Sequence, residues 1–155
     1  MMQALGSVLA RTRGFFARDS FEEQSFDRDK VLGFLANERD RSVLTSAGTR
    51  NRWDVTLAPT FEQAHQLLET LRVPVVLCDR DLLGQDWGTS VEELAACSHR
   101  ACILLVSKVA DEYLWNEIVR RGGYDVLSKP LQEDEVVRAI KLARSYWSST
   151  SLTKR

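Results

Sequence analysis

Three side chains whose chemistry suits phosphoryl transfer each follow a short apolar run in the sequence. Asp79 ends one run, Ser107 follows the next, and Lys129 comes two residues after a third. A carboxylate can attack phosphorus, while a lysine and a hydroxyl can bind the phosphoryl oxygens. A single aspartate after a strand is more often a turn or helix-cap residue, so each residue alone is weak evidence. Together they predict a phosphoryl-transfer site if the fold brings them to one edge.

The arrangement of apolar runs predicts the fold that would do this. From residue 30 onward, short apolar runs alternate with amphipathic helical patterns, which is typical of a parallel sheet covered by helices. The predicted strands are residues 31–36, 53–57, 73–78, 101–106 and 124–127. Because crossovers between parallel strands are right-handed, the pattern favours an α/β fold of the flavodoxin-like (βα)5 type, a doubly wound parallel sheet with strand order 2-1-3-4-5. Function is then expected where strands one, three and four end.

Helix boundaries can also be read from the sequence. Thr60, Ser90 and Asp111 are predicted N-caps, and Gly122 with Gly123 is predicted to end the fourth helix. The last helix carries one apolar stripe, formed by Val136, Ile140, Ala143 and Trp147. That stripe is expected to pack on the sheet.

Composition and charge exclude several classes of protein. The chain has 155 residues, of which 44% are hydrophobic and 28% charged, and this balance is typical of a folded globular domain. The net charge of −1 gives no basic field for nucleic acid or anionic lipid. No apolar run approaches the roughly 20 residues of a membrane span. Three cysteines, an odd number, suggest a reducing compartment, so a cytoplasmic protein is expected.

Three segments are predicted along the chain. Residues 1–29, rich in arginine and then in acidic residues, are predicted to form a flexible N-terminal arm, which is either inert or a docking helix for a partner or second subunit. Residues 30–147 form the α/β domain, and residues 148–155 form a polar tail. Because only this tail follows the domain, output through contact with another protein is expected.

The order of Asp79, Ser107 and Lys129 on consecutive predicted strands resembles the receiver (CheY-like) domain of two-component response regulators. Residues 79–84 match the phosphoacceptor loop, Ser107 the conserved hydroxyl, and residues 122–130 the fifth-strand signature, which is the most specific match. The resemblance covers about residues 30–147. It implies a signalling module that is not an enzyme, apart from accepting a phosphoryl group on Asp79 from a histidine kinase.

The end of the first strand departs from this family. Receivers normally carry two acidic residues there, which help to hold the magnesium ion that neutralises the phosphoryl oxygens. If Val43, Leu44 and Ala47 form the buried face of the first helix, Leu35 and Ala36 stand at the two acidic positions. The combination of residues 78–82, 110–112, 114–115 and 122–125 resembles a divergent subset of receivers in which the acidic pair of strand one is generally absent.

A site without the acidic pair should bind magnesium weakly. Mg²⁺ prefers oxygen ligands, and only Asp79 and Asp81 remain as candidate metal ligands, with backbone carbonyls and water. Residues 37–38 could substitute only if the register of the first strand slipped. Without the metal, Asp79 is expected to form a standing ion pair with Lys129 that resembles one fixed signalling state. Lys108 is either a second phosphate cation or a solvated side chain that narrows access to Asp79.

The conformational switch and the partner surface are also predicted from the resemblance. Val126 stands three positions before the lysine, where the family usually carries an aromatic side chain that moves inward on phosphorylation. The aromatic residues of the last two helices, Tyr113, Trp115, Tyr146 and Trp147, either pack in the core or belong to a partner-binding face. The expected partners are a histidine kinase, a downstream signalling protein, or both, and a homodimer is a further option.

Three readings of function stay open from the sequence. The chain is a receiver with phosphoacceptor Asp79 and a weakened magnesium site, or a pseudo-receiver interaction module that works without phosphorylation. A remote alternative is a phosphohydrolase of the haloacid dehalogenase type, because Asp79 and Asp81 fit its nucleophile motif. That class adds an acidic pair after a later strand, whereas residues 133–135 begin a helix here.

Other cofactor sites are not supported. His65 and His99 have no spacing that pairs them with cysteines, so metal ligation by histidine is not expected. Gly33 stands alone in the first strand, so no glycine-rich phosphate loop follows it. No hydroxyl-rich loop follows Ala36 to cradle a flavin phosphate.

Overall fold

The computed structural model describes residues 28–97 and 100–153, which form one parallel sheet covered by helices. The strands are β1 (Lys30–Phe34), β2 (Asp54–Leu57), β3 (Val75–Asp79), β4 (Cys102–Ser107) and β5 (Asp125–Ser128). Their order in the sheet is β2-β1-β3-β4-β5, and all neighbouring strands are parallel. The predicted fold and strand order are confirmed. The predicted arm and His99 lie outside the described residues, except for residues 28–29 of the arm.

Six α-helices connect and follow the strands of the described chain. They are α1 (Glu38–Asn51), α2 (Phe61–Thr70), α3 (Arg80–Leu83), α4 (Trp87–Ala95), α5 (Glu112–Arg120) and α6 (Glu133–Thr153), and a 3-10 turn, Gly84–Asp86, lies between α3 and α4. Residues 148–153, which the sequence assigns to a polar tail, continue α6. None of these described helices combines the length and apolar character that crossing a bilayer requires.

Helix caps agree with the sequence except at α4. The side chains of Thr60 and Asp111 accept hydrogen bonds from the first turns of α2 and α5, as predicted. Ser90 lies inside α4, so its predicted capping role is wrong, because the chain enters helical structure directly after β3. Gly122 ends α5 with a left-handed φ of 93°. Gly123 is needed for a different reason, since a Cβ there would lie 2.6 Å from a side-chain carbon of α5.

The core lies on both faces of the sheet. Every residue of β3 and β4 is buried, as expected for central parallel strands, whereas β2 is a largely exposed edge strand. One apolar layer packs α1 and α6 on the sheet, and the stripe predicted for the last helix lies in it. The second layer packs α2, α4 and α5 on the opposite face. Both layers fix the strand ends at the carboxyl edge of the sheet.

Candidate functional site

The carboxyl edge of the sheet brings the predicted site residues together. Asp79 is the last residue of β3, Ser107 is the last residue of β4, and Lys129 directly follows β5. Asp79 pairs in register with Val106, one residue before Ser107. The switch-point edge is where ligands of doubly wound sheets usually bind.

Asp79 is fully buried, and both of its carboxylate oxygens are engaged. Oδ1 lies 2.6 Å from Nζ of Lys129 and accepts the backbone N–H of Asp81 at 3.0 Å. Oδ2 accepts the backbone N–H of Ala36 at 2.9 Å. A buried carboxylate is stable only with such compensation, so the chain itself balances the charge of Asp79.

Lys129 joins two carboxylates. Its side chain is 7% exposed, and Nζ lies 2.9 Å from Oδ2 of the exposed Asp81 in addition to its contact with Asp79. Burial alone would lower the pKa of Lys129, but the hydrogen bonds to both carboxylates reverse this effect, so its pKa is raised. The hydrogen bond from Lys129 lowers the pKa of Asp81, and the positive charges of Lys129, Lys108 and Arg80 lower it further. The lysine therefore stays charged throughout the physiological pH range.

This pair makes stability depend on pH at both extremes. Because the pKa of Lys129 is raised in the folded protein, its contribution is complete below pH 10.5 and is lost as pH rises through the folded-state value. The pKa of Asp81 is lowered, so its contribution is complete above pH 3.8 and is lost as pH falls through the lowered value. We expect the free energy of unfolding to decline at both extremes of pH. Below pH 3.8, Asp81→Asn should lose less of its free energy of unfolding than wild type does. Urea unfolding at a series of pH values measures both effects.

Asp86→Asn is the control for this pH series, because it removes another exposed aspartate a short distance along the chain. Because the contact between Asp81 and Lys129 is left in place, this variant should keep the loss of stability in acid that Asp81→Asn is expected to reduce. An Asp81→Asn protein with the same acid dependence as wild type would contradict the pairing of Asp81 with Lys129.

Ser107 is a buried polar residue at the same edge of the sheet. It is 3% exposed, and its Oγ accepts the backbone N–H of Val109 at 3.2 Å. Its carbonyl oxygen accepts the backbone N–H of Lys129 at 3.0 Å, which ties the ends of β4 and β5 together. Lys108 is exposed to solvent and contributes positive charge near Asp81.

The tip of the first strand carries no acidic side chain. β1 ends at Phe34, and Leu35 packs in the core at 4% exposure, while Ala36 is exposed and reaches Asp79 through its backbone N–H. Arg41 donates to the carbonyl oxygen of Leu35 at 3.0 Å, so a guanidinium lies near this strand end. Asn37 is the N-cap of α1. The alternative register, with residues 37–38 in place of the acids, is therefore wrong.

The residues at this edge do not fit a magnesium ion. Of the two candidate ligands, Asp79 has both oxygens engaged, and Asp81 shares Lys129 with it. Within residues 28–97 and 100–153, no group of three or more His, Cys, Asp or Glu side chains could hold a metal ion. The ammonium of Lys129 lies 2.6 Å from Oδ1 of Asp79, so its positive charge would repel a divalent cation that approached the same carboxylate.

The predicted partner-face aromatics are mostly exposed. Tyr113 is 73% exposed, Trp115 is 45% exposed, and Tyr146 is 55% exposed and contacts the ring of Tyr124. Trp147, by contrast, is buried in the core. Val126 is partly buried and packs against the apolar layer that lies between the sheet and helices α2, α4 and α5. Val119 and Leu142, two exposed apolar residues of α5 and α6, were not singled out by the sequence.

One polar residue near the site was missed by sequence reasoning. Asp40 is 1% exposed and accepts the backbone N–H of Leu131, which lies in the loop that follows Lys129. Asn37 and Asp40 are three residues apart, the spacing of reciprocal helix capping, and this was the available signal. The contact with Leu131 is not visible in the sequence, because the two residues are 91 positions apart.

Comparisons with known proteins identify the fold. No family model and no curated protein matches the chain. It is similar to the receiver domain of an HD domain-containing protein from Pseudomonas fluorescens Pf-5, with 22% identity, a TM-score of 0.70, and coverage of 81% of this chain and 93% of that one. The beryllofluoride-activated receiver domain dimer of NtrC4 gives 18% identity, a TM-score of 0.68, and coverage of 77% and 98%.

A third neighbour is the receiver domain of the sensor histidine kinase PA1611 from Pseudomonas aeruginosa PAO1, which has a magnesium ion coordinated in its active site cleft. It is 22% identical, with a TM-score of 0.64 and coverage of 76% of this chain and 98% of that one. The chain thus has the fold of response regulator receiver domains across most of its length.

Proposed function

We propose that this chain is a receiver-type signalling module of a two-component system, with Lys129 in place of magnesium as the counter-ion of Asp79. Its output is contact with another protein. The observation that carries the proposal is the set of three N–H donors, from Lys129, Asp81 and Ala36, around the buried carboxylate. The receiver fold supports the signalling role.

The contacts of Asp79 oppose phosphorylation. A carboxylate oxygen must present a lone pair to phosphorus, and the attacking group must reach the phosphodonor. Asp79 is fully buried, and each of its oxygens accepts at least one donor. An approaching phosphodonor is an anion, so without a divalent cation it would also be repelled by the negative charge of Asp81. These features favour the reading in which the module works without phosphorylation.

A second reading, a weak phosphoacceptor, has one observation in its favour. Asp79, Ser107 and Lys129 are all retained at the same edge of the sheet, and an ammonium 2.6 Å from the nucleophile could bind a phosphoryl oxygen after attack. In this reading Lys129 must first leave Asp79. The two readings differ in whether a phosphodonor labels Asp79.

Incubation with acetyl phosphate, with and without Mg²⁺, tests the proposal directly. We expect no magnesium-dependent phosphorylation of wild type by intact-protein mass spectrometry, because the ion pair holds the nucleophile. Asp79→Asn is the background control, and a receiver domain that coordinates magnesium is the positive control. Rapid labelling that requires Mg²⁺ and is absent in Asp79→Asn would overturn the proposal in favour of the phosphoacceptor.

The output surface that we propose is formed by the exposed aromatic residues Tyr113, Trp115 and Tyr146 on α5 and α6. Exposed aromatic side chains are enriched at protein interfaces because they bury a large area at a low entropic cost. Its partner is a histidine kinase, a downstream signalling protein or a second copy of the chain. The cytoplasmic location stays a prediction.

A phosphohydrolase function has little support. The acidic residues 133–135 form the first turn of α6, and the carboxylate of Glu133 contacts Ser46 and Arg50 on α1. These contacts give Glu133 a structural role, because it joins α6 to α1 and places a negative charge at the N-terminus of α6. The structure offers no reason to assign this acidic turn to magnesium binding beside Asp79.

A further inference from the structure

Asp40 connects two segments that are far apart in the sequence. Its Oδ1 accepts the backbone N–H of Leu131 at 3.0 Å, and its Oδ2 accepts Nδ2 of Asn37 at 2.9 Å. The backbone N–H of Asp40 in turn donates to Oδ1 of Asn37 at 2.8 Å. The neighbouring Arg39 donates to the carbonyl oxygen of Leu131 at 3.0 Å. The first turn of α1 therefore holds both backbone polar groups of Leu131.

Each of these two segments delivers a donor to Asp79. Ala36, whose backbone N–H contacts Oδ2 of Asp79, is adjacent to Asn37. Lys129, whose Nζ contacts Oδ1, is two residues before Leu131. Asp40 thus lies where the loop after β1 and the loop after β5 are fastened together. No other described carboxylate has this pair of contacts.

We propose that Asp40 is a positioning residue that holds the backbone N–H of Ala36 and the ammonium of Lys129 together around Asp79. This deepens the proposed function, because it explains how the Asp79–Lys129 pair is kept closed. Asp40 is almost fully buried and each of its carboxylate oxygens accepts a hydrogen bond, so it can hold the two loops in place from inside the fold. The hydrogen bonds of Asp40 go to Asn37 and Leu131, so we expect it to act on Asp79 through the two loops that these residues belong to.

Two variants separate positioning from simple stabilisation. Asp40→Ala removes the acceptor of both the Leu131 N–H and the Asn37 amide. The exchange of Asn37→Asp with Asp40→Asn keeps all three hydrogen bonds, because the amide at position 40 can donate to the carboxylate at position 37 and still accept from Leu131. Ser46→Ala is the matched control, since it removes a different contact between α1 and α6.

The readouts are the pKa of Lys129, followed by NMR of its side chain, and hydrogen exchange at the amide of Ala36. In Asp40→Ala we expect the raised pKa of Lys129 to fall towards its ordinary value, and the protection of Ala36 to fall at least about tenfold more than that of the β4 amides. The exchanged pair should restore both readouts, and Ser46→Ala should change neither.

A merely structural role would give a different result. The β4 amides and Ala36 would then lose protection equally, and the pKa of Lys129 would stay raised; either finding would overturn the proposal. If Asp40→Ala does not fold, Asp40→Asn can replace it in the comparison with the exchanged pair. In Asp40→Asn alone, the amide donors of residues 37 and 40 would face each other and one hydrogen bond would be lost. Because these readouts do not involve a phosphodonor, they can fail independently of the acetyl phosphate experiment.

Discussion

Lys129→Met is expected to lower the unfolding free energy by about 3 kcal/mol at neutral pH. Removing one partner of a buried ion pair typically costs about 3 to 5 kcal/mol, because the other charge stays buried without compensation. The lower end applies here, since Asp79 keeps the backbone N–H groups of Ala36 and Asp81. Methionine fills a similar volume, so the change measures charge and not a cavity. Urea unfolding followed by circular dichroism gives the free energy.

The same prediction has an internal test in the double variant. Adding Asp79→Asn to Lys129→Met removes the uncompensated charge and should recover more than half of the loss, which is a strong coupling between the two positions. Lys108→Met is the matched control, because it removes an exposed lysine at the same edge, and it should change stability by at most about 0.5 kcal/mol. A loss below about 1 kcal/mol for Lys129→Met, or additive effects in the double variant, would contradict the ion pair.

Ala36→Asp is expected to give the chain a magnesium site that wild type lacks. Ala36 is exposed and its backbone N–H already contacts Asp79, so a carboxylate there would stand beside Asp79 and Asp81. Three carboxylates suit Mg²⁺, and the added negative charge would offset the repulsion between the ion and Lys129. At a magnesium concentration about a hundredfold above its Kd, the variant should gain about 2.7 kcal/mol of stability. Thermal unfolding across a Mg²⁺ titration and calorimetry measure the effect.

The control for the magnesium prediction is Ala36→Asn, which adds an amide of the same size without a charge. It should respond to Mg²⁺ no more than wild type. We prefer the single substitution to a double one that includes Leu35→Asp, because Leu35 is buried in the core. If wild type is stabilised by Mg²⁺ as strongly as Ala36→Asp, the site is already complete and the role given to Lys129 is wrong.

The fold was predictable because its signals are local. Short continuous apolar runs indicate strands covered on both faces, and Asp79 directly follows one of them while Lys129 lies two residues after another. Strand ends were less accurate: residues 31–36 were predicted for the first strand, whereas β1 ends at Phe34. The apolar run extends beyond the strand because Leu35 enters the core after the sheet pairing has ended.

The polar contacts around the site were harder to predict, because they join residues distant in sequence. Leu131, the partner of Asp40, is 91 positions away in the sequence. Asp79, the partner of Ala36, is 43 positions away, and the donor is a backbone N–H, which cannot be predicted from the residue type. The capping role predicted for Ser90 failed for a related reason. The helical turns of residues 80–86 fill the connection after β3, and α4 therefore begins earlier than its local pattern suggests.

The closed set of donors around Asp79 has a consequence for how such a module would be regulated in a cell. A carboxylate whose charge is balanced by its own chain depends on neither the supply of divalent ions nor the energy charge that sustains phosphodonors. If the module works without phosphorylation, as we propose, occupancy of its partner follows from how much of the protein is made and how quickly it is degraded. Control would then pass from chemical modification to the abundance of the module.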